Sequence, residues 1–161
     1  MAIQVGDKVP AVSLKVATSE GKIEDAATED LFSGKKVVLF AVPGAFTPTC
    51  SAQHLPGFVD KAGELKAKGV DSVICLSVND AFVMGAWGKD RSVGDSVVMV
   101  ADGSGDFTRA VGLEMDGTKF GMGTRSQRYA FVAEDGVVTH LAVEAPMKFE
   151  VSSADAILGA L

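Results

Sequence analysis

Cys50 is the residue in this chain best placed to react. It ends the run Val42-Pro43-Gly44-Ala45-Phe46-Thr47-Pro48-Thr49-Cys50, between an apolar stretch and a segment with helical periodicity. A cysteine just past the carboxyl end of a strand, in the first turn of the next helix, meets free N–H groups. It also meets the positive end of the helix dipole, and both favour a thiolate. An ordinary thiol with a pKa of ~8.5 is only about 3% ionised at neutral pH. Full ionisation therefore gains roughly 30-fold in nucleophile, whereas enzymes commonly accelerate by ~10⁶ or more. The rest must come from donors that hold a substrate and stabilise charge on its leaving group. A hydroxyl and an arginine near Cys50 are the groups to seek.

The other reactive side chains are few. Cys75, the only other cysteine, falls in the middle of an apolar run, where a cysteine usually packs as a small hydrophobe. Two cysteines with no C-x-x-C exclude a disulfide scaffold and the usual dithiol redox motif. His54 lies one helical turn after Cys50 and is read as a pocket-wall residue, with tuning of the thiolate as the second reading. No acidic partner for it is evident, which argues against a cysteine hydrolase. His140 falls in a hairpin and is read as a surface residue. With only two histidines, a structural zinc site would need unusual ligands. The segment Asp102–Thr108 superficially matches a calcium loop. Phe107 occupies the position that needs glycine and Leu113 the position that needs glutamate, so it is read as a turn before a helix. There is no Walker or dinucleotide glycine pattern.

The elements that position Cys50 can be read from periodicity. Lys36–Val42 is continuously apolar and β-branched, as a strand covered on both faces would be, and stops at Pro43-Gly44. Leu55, Phe58, Val59, Ala62 and Leu65 share one helical face, with Thr47 or Thr49 as cap and Gly69 as stop. Pro56 falls inside that helix and is expected to kink it. Further strands are expected over 73–78 and 97–100, with short helices over 81–87 and 107–111. Glu134-Asp135-Gly136 between two apolar runs, 129–133 and 137–143, signals a hairpin. Ser152 with Asp155 resembles a capping box ahead of a last helix. Gly121-Met122-Gly123 is read as a loop. The order β-α-β-α-β-α, hairpin, α implies a mixed sheet flanked by helices, an α/β architecture of the thioredoxin-like kind.

Length and composition agree. The chain has 161 residues, 47% of them apolar and 22% charged, and suits one domain over 1–161. A net charge of −6 with no basic run makes nucleic acid a poor partner. The apolar runs are too short for a membrane helix. The N-terminal residues do not read as a secretory signal. A cytoplasmic location is expected, or a plastid or mitochondrion had a transit peptide been removed.

The spacing Pro43-x-x-x-Thr47-x-x-Cys50 resembles the peroxidatic motif of the peroxiredoxins. The longer string Val42–Ser51 is similar to the type II, peroxiredoxin-5-like subfamily, especially its plant and algal members. The likeness continues through His54-Leu55-Pro56-Gly57-Phe58, Ser77–Val83, Trp87-Gly88, Ala101–Gly105 and Arg125-Ser126-Gln127-Arg128-Tyr129. This resemblance implies thiol-dependent reduction of hydrogen peroxide and organic hydroperoxides, with no cofactor beyond an external thiol. Cys50 would become a sulfenic acid. Thr47 would direct its hydroxyl at the peroxide, Pro43 would shield the thiolate, and Arg128 would hold both sulfur and peroxide. Arg125 competes with Arg128 for that role. His54, Trp87 and Phe46 are expected to line the pocket.

The resemblance also bears on turnover. Some relatives carry a second, resolving cysteine near the C-terminus, where this chain has Val151. Only Cys75 remains, and a buried strand position is hard to bring within the ~4.4–6.8 Å Cα spacing of a disulfide. Glutathione with glutaredoxin, or thioredoxin, is therefore the expected reductant, and Cys75 as resolver is the minority reading. A homodimer meeting near the active site is the family expectation. The contrasting reading is a binding or holdase module that senses oxidation without turnover. A pure scaffold would not require the Pro43, Thr47, Cys50 and Arg128 set.

Overall fold

Lys36–Val42 forms β3, an interior strand of a seven-stranded sheet, in a computed structural model that describes all residues from Met1 to Leu161. Its neighbours are β4 (Ser72–Ser77), parallel to it, and β8 (Tyr129–Glu134), antiparallel. The strands β5 (Val98–Ala101), β1 (Ser13–Ala17) and β2 (Ile23–Ala27) extend the β4 side, and β9 (Val137–Val143) closes the β8 side. The order is β2-β1-β5-β4-β3-β8-β9, with only the β3–β4 and β4–β5 pairs parallel. A separate two-stranded ribbon joins β6 (Glu114–Asp116) to β7 (Thr124–Ser126). This is the mixed α/β, thioredoxin-like arrangement that the element order implied.

Successive strand residues point to opposite faces, and β3 is buried on both. Val38, Phe40 and Val42 enter one core, with Leu55, Phe58 and Leu65 of helix α2 (Leu55–Ala67). Met84 and Trp87 of α3 (Ala81–Asp90) and Ile157 of α5 (Ala154–Ala160) complete it. Val37, Leu39 and Ala41 enter the other core, with Phe32 of α1 (Thr28–Phe32) and Phe107 of α4 (Asp106–Val111). Cys50 and Cys75 both belong to the first core.

Several expectations need correction. The irregularity expected at Pro56 falls just ahead of it, as a change in hydrogen bonding. Residues Cys50–His54 form a wide turn in which the Leu55 N–H reaches the Cys50 carbonyl, five residues back, and α2 begins only at Leu55. Pro56 thus follows directly on the wide turn, at the point where regular four-residue hydrogen bonding of α2 begins. The last helix is capped by Ser153, whose Oγ accepts from Ala156 N. Ser152 is used elsewhere. Periodicity also missed β1, β2, α1 and the 114–126 ribbon, which are all short; β2 is an edge strand and the ribbon stands apart from the main sheet. The hairpin holds as expected: Asp135 and Gly136 have φ of 48° and 77°, the left-handed pair that a tight two-residue turn requires.

Candidate active site

The parallel strands β3 and β4 end together, and the chain leaving β3 builds the site. Pro43 and Gly44 turn it away from the sheet. A side chain at Gly44 would meet Arg125 Nη1 at 3.0 Å, Thr47 Cγ2 at 3.1 Å and Met122 Cε at 3.2 Å, so the loop is packed on three sides. Asn79, after β4, fixes the loop from the fourth: its Oδ1 accepts from Ala45 N at 3.0 Å and from Ser77 Oγ at 2.6 Å. Phe46 takes a left-handed φ of 62° and stands half exposed.

Cys50 then begins the wide turn and is fully buried. Such i to i+5 turns are uncommon and tend to mark functional positions. Two bonds hold the turn at its flanks. Ser51 N donates to Thr47 O at 2.9 Å, and Trp87 Nε1 donates to Ser51 Oγ at 2.9 Å. Trp87 is buried, with Phe46 over it at a ring distance of 6.4 Å.

Arg128, just ahead of β8, lies on the face of the sheet that Ala130 and Val132 turn towards the Cys50 core, and reaches the turn from there. Its Nη2 donates to Cys50 Sγ at 3.1 Å. Its Nη1 donates to His54 Nδ1 at 2.8 Å. A guanidinium presents rigidly spaced donors and always carries charge, which suits it to hold an anionic sulfur and a second acceptor together. Phe149 lies 5.7 Å below its centre. Arg125 faces differently: it donates to Met122 O at 3.0 Å and to Pro43 O at 3.4 Å. Of the two arginines, Arg128 is the one in contact with Cys50.

Thr47 Oγ1 donates to Gly44 O at 2.7 Å. Its proton is therefore committed to the loop, and its lone pairs are left to accept. His54 is fully buried, and burial, with Arg128 adding, pushes its pKa down to about 3. It is a neutral ring at physiological pH. His140, expected at the surface, is half-buried in β9 opposite Val132. Cys75 lies within β4 between Phe40 and Met99 and is fully buried. Burial pushes its thiol well up, and the Cys50 charge adds to that. Both cysteines are free. No group of three or more His, Cys, Asp or Glu side chains gathers in a form that could hold a metal ion.

The structure thus brings together Cys50, Arg128 and His54, with Thr47 and Pro43 in the loop before them and Trp87 behind. Sequence reading missed Asn79, Ser51, Phe149, Ser152 and Glu144. They reach the site through backbone atoms or across long sequence separations, which leaves no local pattern to find.

A redoxin family model matches residues 4–158. Peroxiredoxin-2B of Arabidopsis thaliana is 52% identical over 159 residues, covering 99% of this chain and 98% of that protein. Chloroplastic peroxiredoxin-2E of the same plant is 51% identical over 163 residues, covering 99% of this chain and 70% of that one. The crystal structure of reduced Prx3 from Vibrio vulnificus in complex with hydrogen peroxide superposes with a TM-score of 0.93. It is 55% identical and covers 98% of each chain.

Proposed function

Since the chain belongs to the redoxin family and is a peroxiredoxin, a thiol-dependent peroxidase, we propose that Cys50 is its peroxidatic residue. Thr47, Pro43 and Arg128 complete the site in this reading, and residues 1–161 act as one domain. The observation that carries it is the Arg128 Nη2 contact with Cys50 Sγ at 3.1 Å.

The chemistry follows from those groups. The Cys50 thiolate attacks the terminal hydroxyl oxygen of the peroxide. A sulfur–oxygen bond forms as the oxygen–oxygen bond breaks. Sulfur is oxidised by two electrons to a sulfenic acid, and the peroxide is reduced to water or an alcohol once the departing oxygen takes a proton. Arg128 meets the negative charge as it moves from sulfur to that oxygen. Thr47 Oγ1, already donating to Gly44, accepts from the attacked hydroxyl. In this reading Pro43 shields the thiolate, and it offers no N–H to water.

Peroxiredoxins take peroxides as substrates, use thiol reductants of the thioredoxin type and need no prosthetic group. For this chain the reductant is proposed to be external: glutathione with glutaredoxin, or thioredoxin. The buried place of Cys75 in β4 supports this, as does Val151 where some relatives have a cysteine. The external thiol condenses with the sulfenic acid, releasing water and leaving a mixed disulfide, which a second thiol reduces. A homodimer through the active-site end is also proposed. Phe46, Phe82, Phe120 and Met147 are exposed by 51%, 78%, 63% and 91%, and all lie in segments beside the site. Two free cysteines favour a reducing compartment. The cytoplasm is the first reading and the plastid the second, since relatives include chloroplastic proteins.

The test is steady-state peroxide consumption with either reductant system, using wild type, Cys50→Ser and Cys75→Ser. Turnover by wild type and Cys75→Ser, with none by Cys50→Ser, is the expected result. Turnover by Cys50→Ser would remove the assignment. Loss in Cys75→Ser would make Cys75 the resolving residue.

A further inference from the structure

The contact between Cys50 and Arg128 continues past His54. His54 Nε2 lies 2.9 Å from the Ser152 carbonyl, which can only accept. Nε2 therefore carries the ring proton. Nδ1 is bare, and it accepts from Arg128 Nη1 at 2.8 Å. A single neutral tautomer serves both bonds. Phe40, Phe58 and Phe149 box the ring, at centroid distances of 4.8, 5.6 and 4.8 Å, so it has no other orientation to adopt.

The Ser152 carbonyl is itself held from behind. Glu144, directly after β9, is only 7% exposed. Its carboxylate accepts from Glu150 N at 2.9 Å, Val151 N at 2.9 Å, Ser152 N at 2.8 Å and Ser152 Oγ at 2.6 Å. Four donors from the turn before α5 thus converge on Oε2, and Glu150 N is shared with Oε1. The Glu144 N–H meanwhile donates to the Arg128 carbonyl at 3.0 Å. One residue grips the backbone of Arg128 with its amide and the backbone that orients His54 with its side chain.

We propose that Glu144 is a positioning residue for peroxide reduction. Its carboxylate fixes the 150–152 backbone, the Ser152 carbonyl fixes the His54 tautomer, and His54 aims the Arg128 guanidinium at Cys50 Sγ. This rests on the reading of Cys50 as the peroxidatic residue. A carboxylate is needed because all its partners are donors. Glutamine has the same shape, but its neutral amide oxygen is a weaker acceptor for the four donors at Oε2, and its NH₂ would face the Glu150 N–H. A buried packing role alone would be served nearly as well by glutamine.

The test compares wild type, Glu144→Gln and Glu144→Asp by two measurements on the full chain. Stopped-flow fluorescence of Trp87, the only tryptophan, gives the second-order rate constant with hydrogen peroxide. Nitrogen-15 NMR of the histidine rings reports which His54 nitrogen bears the proton. Glu144→Gln is expected to lower the rate constant roughly tenfold, the scale of one charge-assisted hydrogen bond. It is also expected to mix the His54 tautomers, and Glu144→Asp should recover part of both. A wild-type rate in Glu144→Gln overturns the proposal. So does a slower rate with the wild-type His54 signature, because the loss would then bypass His54. If Glu144→Gln does not fold, Ser152→Ala removes one of the four bonds and keeps the carbonyl. A several-fold slower rate with a changed His54 spectrum supports the proposal there, and a wild-type rate overturns it. Failure of the underlying reading looks different: Cys50→Ser would still react with peroxide, whatever Glu144 does.

Discussion

Arg128 donates to the bare Nδ1 of a histidine that stays neutral, with the His54 pKa held at about 3 by burial and by Arg128 itself. A protonated imidazole there would lose the acceptor and set two cations side by side. The expected consequence is a peroxide rate without a His54 inflection between about pH 5 and pH 8, where an ordinary histidine titrates. Stability has a definite sign. As pH falls from 6.5 towards about 3, the unfolded histidine binds a proton that the folded one refuses, so stability declines. The loss is roughly 1.4 kcal/mol for each unit of pKa difference. Glu144 acts in the same direction. Burial works to raise its pKa, but the Ser152 hydroxyl and the 150–152 amides outweigh that and hold it below the ordinary value. Its contribution is present above the unfolded pKa and is lost as pH falls through the lower folded one. Thermal melts across this range should show the midpoint falling with acidification, and a rise would contradict the account.

Arg128→Lys tests the fork. Lysine keeps the charge but places one compact ammonium where two spaced donors stood, so it cannot serve Sγ and His54 Nδ1 together. The rate constant with hydrogen peroxide should fall about 100-fold, the effect of losing one preorganised donor. A change below threefold would mean that charge alone suffices.

Thr47→Ser and Thr47→Val separate the hydroxyl from the methyl. Serine retains a group that donates to Gly44 O and accepts from the peroxide. Valine retains shape but loses both. Serine should remain within about threefold of wild type, while valine loses roughly 10- to 100-fold. Equal rates in both variants would remove Thr47 from the chemistry.

Cys75→Ala should cost stability and spare turnover. The thiol is fully buried in β4, so its removal leaves a small cavity worth about 1 kcal/mol. For a chain of this length that lowers the melting midpoint by ~2–4 °C. Peroxide consumption with an external reductant should stay within twofold. A large loss of turnover at unchanged stability would assign Cys75 a chemical role.

Much of the site was legible because its chemistry is local. Pro43, Thr47 and Cys50 sit within eight residues, and the strand before them is unbroken and apolar. Arg128 was legible only through family resemblance, since nothing within 125–128 says which arginine reaches Cys50. Glu144 and Ser152 were not legible. Ser152 reaches His54 through a main-chain carbonyl across 98 residues, and a carbonyl has no sequence signature. Ser152 also resembled a helix cap, yet its hydroxyl bonds Glu144 and the neighbouring Ser153 caps α5. The edge strand β2, Ile23-Glu24-Asp25-Ala26-Ala27, escaped because it is exposed and acidic with little alternation. The wide turn at Cys50–His54 escaped for a different reason: five-residue and four-residue hydrogen bonding share nearly the same apolar pattern over a single turn.

The central claim is that Cys50 alone takes the oxidising equivalent and that Cys75 does not answer it. Intact-mass analysis of reduced wild type and Cys75→Ser after one equivalent of hydrogen peroxide tests both halves. The account predicts the gain of one oxygen in each protein, absent in Cys50→Ser. Loss of two hydrogens in wild type, missing from Cys75→Ser and without a change in oligomer mass, would contradict it by showing an internal disulfide. No mass change in either protein would remove Cys50 as the peroxidatic residue.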